Sequence, residues 1–336
     1  MRKHTMQILA VAGLLTLTAT FGVACGGGSD DTSSSGESTS TSSGESKPLR
    51  VIMSDTQSLT MIGVDAGMDM GLFKDKNLDV EVTASENVSQ ALATGDADVG
   101  IASPNRFIGA MLQGLDAKLV GPTINTWGQY IIVGKDVKAK TPEDWKGGRI
   151  GISSFGSAGH FSGVKFAEAQ GWKESDYEIV TLGNLDGLKA ALRSGTIDGF
   201  MWSAQAAFGL EEEGTARVLG AVGEYMGPNP LDVIAVSEDA LKNRPDDIRK
   251  FLDGFYEAQR RFKNDPDLAA KSFEKWGIAG PVTPRVLELG LPLLSTDHTF
   301  TDEMFDNMAE ATVFTIDGAK TTGKEVKGMY LDYTTL

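Results

Sequence analysis

The segment GISSFGSAGHFSG (151–163) places four glycines and four serines between two apolar runs. Glycine-rich turns between a strand and a helix serve three chemistries, and each makes its own demand on spacing. A phosphate-cradling loop requires Lys then Ser or Thr after its last glycine, whereas Gly159 is followed by His160 and Phe161. A dinucleotide fingerprint sets glycines at first, third and sixth positions, which Gly156, Gly159 and Gly163 do not match. A nucleophile elbow flanks its serine with glycines two residues away, a pattern absent around Ser153, Ser154, Ser157 and Ser162. What survives is the physics common to all three: a helix start whose unpaired N–H groups face whatever lies in front of them.

A strand before the turn and a helix after it must position such a site, and the chain encodes this unit twice. ALATGDADVGIAS (91–103) lies over ALRSGTIDGFMWS (191–203) at an offset of one hundred. Ala91, Leu92, Gly95, Asp98 and Ser103 match Ala191, Leu192, Gly195, Asp198 and Ser203. Each copy reads as a helix ended by a left-handed glycine, then a short apolar strand closing on a small polar residue. The flanks repeat in the same order, LRVIMSDTQS (49–58) with GRIGISSFGS (148–157) and LDVEVTAS (78–85) with YEIVTLGN (177–184). The helix after the turn is expected from Ala158 to about Gln170, stopped by Gly171.

Both halves are therefore βαβαβ, which implies parallel sheets whose ligand lies beyond the carboxyl ends of the strands. Those ends, Ser54, Ser103, Ser153 and Trp202, share one cleft if the lobes face each other. GPTINTWGQYIIVGKD and GEYMGPNPLDVIAVSED read as two extended hinge crossings. Lobe one is expected over 48–128 and 232–336, lobe two over 129–231. Past Pro245, the spacing of Ile248, Phe251, Leu252, Phe255 and Tyr256 gives one apolar helix face, read as core.

At the start of the chain, Arg2 and Lys3 precede an uncharged apolar run from Ile8 to Ala24. Residues 1–24 read as a secretory signal, because the run is broken by Thr16, Thr18 and Thr20 and is short for a bilayer core of roughly 30 Å. Cys25, the chain's one cysteine, follows Val23 and Ala24 and resembles the acylated cysteine of bacterial lipoproteins, although Gly22 stands where an aliphatic is usual. An idle thiol after ordinary cleavage is the alternative. Residues 25–47 form a Gly/Ser-rich tether with a reach of about 25 Å. The net charge is −15, and −17 once Arg2 and Lys3 are removed. Such a surface disfavours nucleic acid and suits an extracytoplasmic protein. Three histidines without a Cys or His cluster give no support to a transition-metal site, and no cofactor is implied.

GLFKDKNLDVEV, GDADVGIAS, TPEDWKGGRIGISSFGSAGHF and SGTIDGFMWSAQAA, in that order, make the chain similar to the type II periplasmic binding proteins of ABC importers. The similarity is greatest to the group of nitrate, sulfonate and taurine binders and of pyrimidine-precursor binders related to thiamine biosynthesis. It spans nearly all of 48–336. The resemblance implies an α/β type II periplasmic-binding-protein fold, two lobes with a hinge and a ligand cleft between them. It further implies a small-molecule ligand, a lipid anchor at the outer face of the cell membrane, and delivery to an ABC permease. A monomer is expected. A ligand sensor of the same fold reporting to a membrane receptor is the alternative. The related fungal pyrimidine synthase carries a cysteine-rich motif that this chain lacks, and no Ser, His and acid set is visible, so no enzymatic activity is expected.

Binders of this group place an anionic or polar ligand group against the opening turn. On that basis the N–H groups of Ala158, Gly159 and His160, with the hydroxyls of Ser154 and Ser157, surround a carboxylate, sulfonate or ring carbonyl. Capping by Ser157 alone, worth about 1 kcal/mol, needs no ligand and is compatible with that role. His160 either adds a donor or cation near neutral pH or is a plain surface histidine. Trp202 and Trp127 form walls for a ring or an alkyl chain, or pack at the lobe junction. In lobe one, Ser54, Asp55, Thr56 and Gln57 follow the first strand, and Ser103, Asn105 and Arg106 the third. Arg106 either points inward to pair with an anion or is solvated. Asp55 argues instead for a ligand carrying an amine.

Overall fold

The computed structural model describes residues 47–54, 59–85 and 87–336. The signal segment, Cys25 and nearly all of the tether, together with Asp55, Thr56 and Gln57, lie outside the described residues.

The first repeat folds as β1 (Leu49–Met53), α1 (Ile62–Asp69), β2 (Val80–Ala84), α2 (Val88–Thr94) and β3 (Val99–Ala102), then α3 (Pro104–Leu112) and β4 (Ala117–Pro122). The chain crosses into β5 (Gln129–Gly134) and repeats the pattern. The second set is β6 (Arg149–Ile152), α4 (Ala158–Ala169), β7 (Glu178–Thr181), α5 (Leu185–Arg193), β8 (Gly199–Ser203), α6 (Ala204–Glu212) and β9 (Ala216–Ala221). A second crossing leads to β10 (Val233–Ser237). Six helices close the chain: α7 (Glu238–Asn243), α8 (Pro245–Asn264), α9 (Pro266–Lys275), α10 (Thr283–Gly290), α11 (Asp302–Thr315) and α12 (Gly323–Gly328).

Two five-stranded sheets result, ordered β2-β1-β3-β10-β4 and β7-β6-β8-β5-β9, both within the unit Ser46–Leu336. The repeated strands pair in parallel, as their crossover helices require. The expectation of wholly parallel sheets is corrected by β10 and β5, which run antiparallel to both neighbours. The reason is the hinge. β4 and β9 end at the cleft, so a strand entered directly from there must run away from it.

The aligned residues of the repeat take the same conformations. Gly95 and Gly195 end α2 and α5 at φ +75° and +70°, where a side chain would be strained. Arg50 beside Asp98 and Arg149 beside Asp198 form the same clasp, each pairing backbone N–H and guanidinium with one carboxylate. Helix α8 buries Ile248, Phe251, Leu252, Phe255 and Tyr256 against the first sheet, the face its spacing marked as core. The later helices reach both sheets: α11 packs on α3 and α4, and α10 packs on α6. No helix among the described residues is long and apolar enough to cross a membrane.

Candidate ligand cleft

The strand ends from both repeats meet in a cleft with two adjoining chambers that share Ser103, Arg106, Gln129, Ala158 and Trp202 as walls. One has a volume of about 450 Å³ and a polar lining from the opening turn, Ser103, Asn105, Arg106 and Thr315. The other, of about 300 Å³, is walled by Leu59, Met61, Ile124, Tyr130, Leu231 and Leu293, with Ser54 at its edge.

Local geometry sets the polar chamber. Ser157 takes an extended conformation and its Oγ accepts from the His160 N–H at 3.2 Å, capping α4. With that N–H taken by the cap, the first-turn N–H groups of Ala158 and Gly159, which precede the first acceptor of the helical ladder, are the ones at the chamber. The helix dipole adds partial positive charge at the same point. Ser154 is exposed on the chamber wall, and its carbonyl accepts from Ser157 N–H at 3.2 Å. Asn105 donates to Thr315 Oγ1 at 2.9 Å, which joins the start of α3 to the end of α11 at the chamber wall. Gly156 packs close to the same residue: a Cβ there would lie 2.5 Å from the Thr315 carbonyl oxygen.

His160 itself does not line the cleft. Its Nδ1 accepts from Gly156 N–H at 3.0 Å, and its ring packs against Phe155 and Phe314. Burial lowers its pKa below the ordinary 6.5, so at neutral pH the side chain is an uncharged brace for the turn. Trp127 is buried and serves as wall and packing residue together, its indole N–H donating to Ser162 Oγ at 2.7 Å. Trp202 is half-buried and stands between the chambers. Arg106 is exposed and lines both chambers.

Sequence reasoning missed Gln129, Tyr130, Ala311 and Thr315. Gln129 left a signal, a polar residue opening an otherwise apolar strand; it proves to be buried and accepts from both Trp127 and Ser162. Burial also raises the Tyr130 phenol pKa. Ala311 and Thr315 left none, since they arrive on a helix some two hundred residues away in sequence. Both hinge crossings are braced from this C-terminal part. Asn125 N–H donates to the Leu293 carbonyl at 3.0 Å, and Asn307 Nδ2 donates to the Pro228 carbonyl at 2.8 Å.

Comparison with known proteins agrees with this architecture. No curated protein matches the chain by sequence. Among solved structures, the periplasmic aliphatic sulphonate binding protein SsuA from Escherichia coli is similar with a TM-score of 0.68 and 18% identity, over 85% of this chain and 97% of that one. The periplasmic sulfonate-binding protein SsuA from Methylobacillus flagellatus KT gives 0.68 and 18%, over 87% and 93%. The Candida albicans CA3427 gene product, described as having the generic periplasmic binding protein fold, gives 0.65 and 15%, over 85% and 96%. These likenesses establish the two-lobed periplasmic-binding-protein fold. The family model described as NMT1/THI5 like matches residues 60–269. The chain belongs to the NMT1/THI5-like family.

Proposed function

We propose that the protein is an extracytoplasmic solute-binding lipoprotein that captures a small organic anion, a sulfonate or aromatic carboxylate, and delivers it to an ABC importer permease. The observation that carries this reading is the pairing of the α4 first turn with Arg106 across one polar chamber, next to an apolar chamber behind Trp202. Backbone N–H groups, a helix dipole and a guanidinium all favour an anionic head group. Leu59, Ile124, Leu231 and Trp202 offer apolar surface to the rest of the molecule, which favours an organic ligand over nitrate.

Closure follows from the construction. Because two braced crossings link the jaws and α11 packs against both, a ligand touching both jaws adds contacts that favour their closed arrangement, and the permease recognises the closed form. The sulfonate binding of the two SsuA proteins supports the same ligand class. Cys25, placed at the end of a signal-like segment, is proposed as the acylated anchor, with the tether holding the lobes off the membrane.

Thermal-shift screening against alkanesulfonates, aromatic carboxylates, pyrimidines and nitrate tests the ligand class. A rise in melting temperature with sulfonates or aromatic carboxylates is expected; a rise confined to pyrimidines or nitrate contradicts it. Radiolabelled palmitate tests the anchor, with label expected on the wild type and lost in Cys25→Ser. Undiminished label on that variant removes the lipoprotein claim.

A further inference from the structure

The internal repeat extends beyond the cleft. β4, AKLVGP, and β9, ARVLGA, hold the same edge position in their sheets. Gly121 pairs with Ile234 and Gly220 with Ile131, and both registers shift at the partner strand's next residue. The helices before them also correspond, Gly109 of α3 with Gly209 of α6.

The lobes differ in what covers these matching parts. In lobe one, Leu119 on β4 and Ile108 on α3 share an apolar cluster with Phe300 and Phe305, and the Tyr330 ring lies 5.4 and 5.9 Å from those two. Leu119 N–H donates to the Met329 carbonyl, and a Cβ on Gly109 would collide with Ile316. In lobe two a Cβ on Gly209 would meet nothing within 4 Å. Beside Phe208 and Val218 lies a cavity of about 560 Å³, bounded by β9, α6, α10 and the first hinge crossing.

We infer that this cavity is a second binding site, for a small planar aromatic molecule. Lobe one fills the matching space with rings from its own chain, so the shape and chemistry of this position suit rings. Phe208 and Tyr130 offer aromatic walls, and Leu289 and Leu293 apolar ones. The Arg285 guanidinium sits 4.0 Å over the Phe208 ring and is held by Glu211, which gives an incoming ring a cation to face. Glu211 also accepts from Val218 N–H at 3.0 Å, taking the place that the Met329 carbonyl holds in lobe one. That blocks the β9 edge to an added peptide strand and leaves a small molecule as the occupant. Since Trp127, Gln129 and Tyr130 line both this cavity and the cleft, an occupant braces the hinge and changes cleft affinity.

Indole is the probe. Calorimetric titration is expected to show saturable binding to the wild type, within twofold of that to Arg106→Ala, whose side chain lines the cleft and not this cavity. Leu289→Trp and Val218→Trp, which fill the cavity from α10 and from β9, should bind at least tenfold more weakly while melting cooperatively. Methyl NMR of the wild type gives a readout independent of the variants: indole should shift the methyls of Leu289 and Val218, which line this cavity and not the cleft. No saturable binding, unchanged binding to the filled variants, or shifts confined to Leu59 and Leu231 in the cleft overturns the site.

Discussion

The Trp127 indole N–H donates to Ser162 Oγ at 2.7 Å, bonding the first hinge crossing to the interior of the helix whose first turn faces the cleft. Ser162 in turn donates to Gln129 Oε1 at 2.7 Å, so three buried polar groups satisfy one another where hinge, helix and β5 meet. Trp127→Phe keeps most of the apolar packing and removes this bond. It should lower unfolding free energy by about 1–2 kcal/mol, measured by urea denaturation. Ser162→Ala should cost less than removing the ring altogether, because Gln129 Oε1 still lies 3.3 Å from the indole nitrogen.

Gly156 sets the shape of the opening turn. Its φ of +77° is left-handed, and a Cβ would meet the Thr315 backbone, which cannot swing aside as a side chain could. Gly156→Ala should destabilise by at least about 1–2 kcal/mol from the conformation alone. It should also weaken ligand binding, since the turn must part from α11; calorimetry on the folded variant reads this second effect. A variant that binds normally would show that the turn does not shape the chamber.

The brace at His160 makes the turn sensitive to pH. Nδ1 accepts a hydrogen bond only while unprotonated, and burial depresses the folded pKa below the ordinary 6.5. Its contribution is therefore complete above that ordinary value and is lost as pH falls through the folded pKa. Melting temperature should drop on acidification below about 6.5, and His160→Leu should flatten that part of the profile. NMR titration of the imidazole gives the pKa directly; a value above 6.5 would refute the assignment.

The lobe-two clasp acts at lower pH. Hydrogen bonding to the Arg149 guanidinium, chiefly, holds the Asp198 pKa below its ordinary value. A depressed carboxylate stabilises the fold above the unfolded pKa and loses that effect as pH falls through the folded one. The melting-temperature deficit of Asp198→Asn should thus be present at pH 7 and shrink below the ordinary carboxylate range. A deficit unchanged down to pH 2 would mean that the side chain matters only for packing.

Much of this architecture was legible because the chain repeats itself. Gly95 with Gly195 and Asp98 with Asp198 marked the same backbone conformations and the same clasps in both lobes, and the Ser157 cap followed from residue type alone. The antiparallel strands β5 and β10 were hidden, because an apolar run records burial but not the direction from which the chain enters a sheet. Thr315 was equally invisible as a cleft residue. Its partner Asn105 is 210 positions away, and nothing local to either records that meeting. His160 was ambiguous for a related reason: its type suggested a charge, whereas the neighbouring Phe155 and Phe314 rings make it a neutral acceptor.

The central claim is that an organic anion sits between Arg106 and the first turn of α4, with its apolar part against Trp202. Calorimetry with the sulfonate or aromatic carboxylate that most stabilises the wild type tests this most directly. Binding should be one to one, and should weaken about tenfold or more in Arg106→Ala, the loss expected for one charge-assisted contact. Trp202→Ala should weaken it too, while both variants unfold cooperatively. Equal dissociation constants for the wild type and both variants would contradict the account.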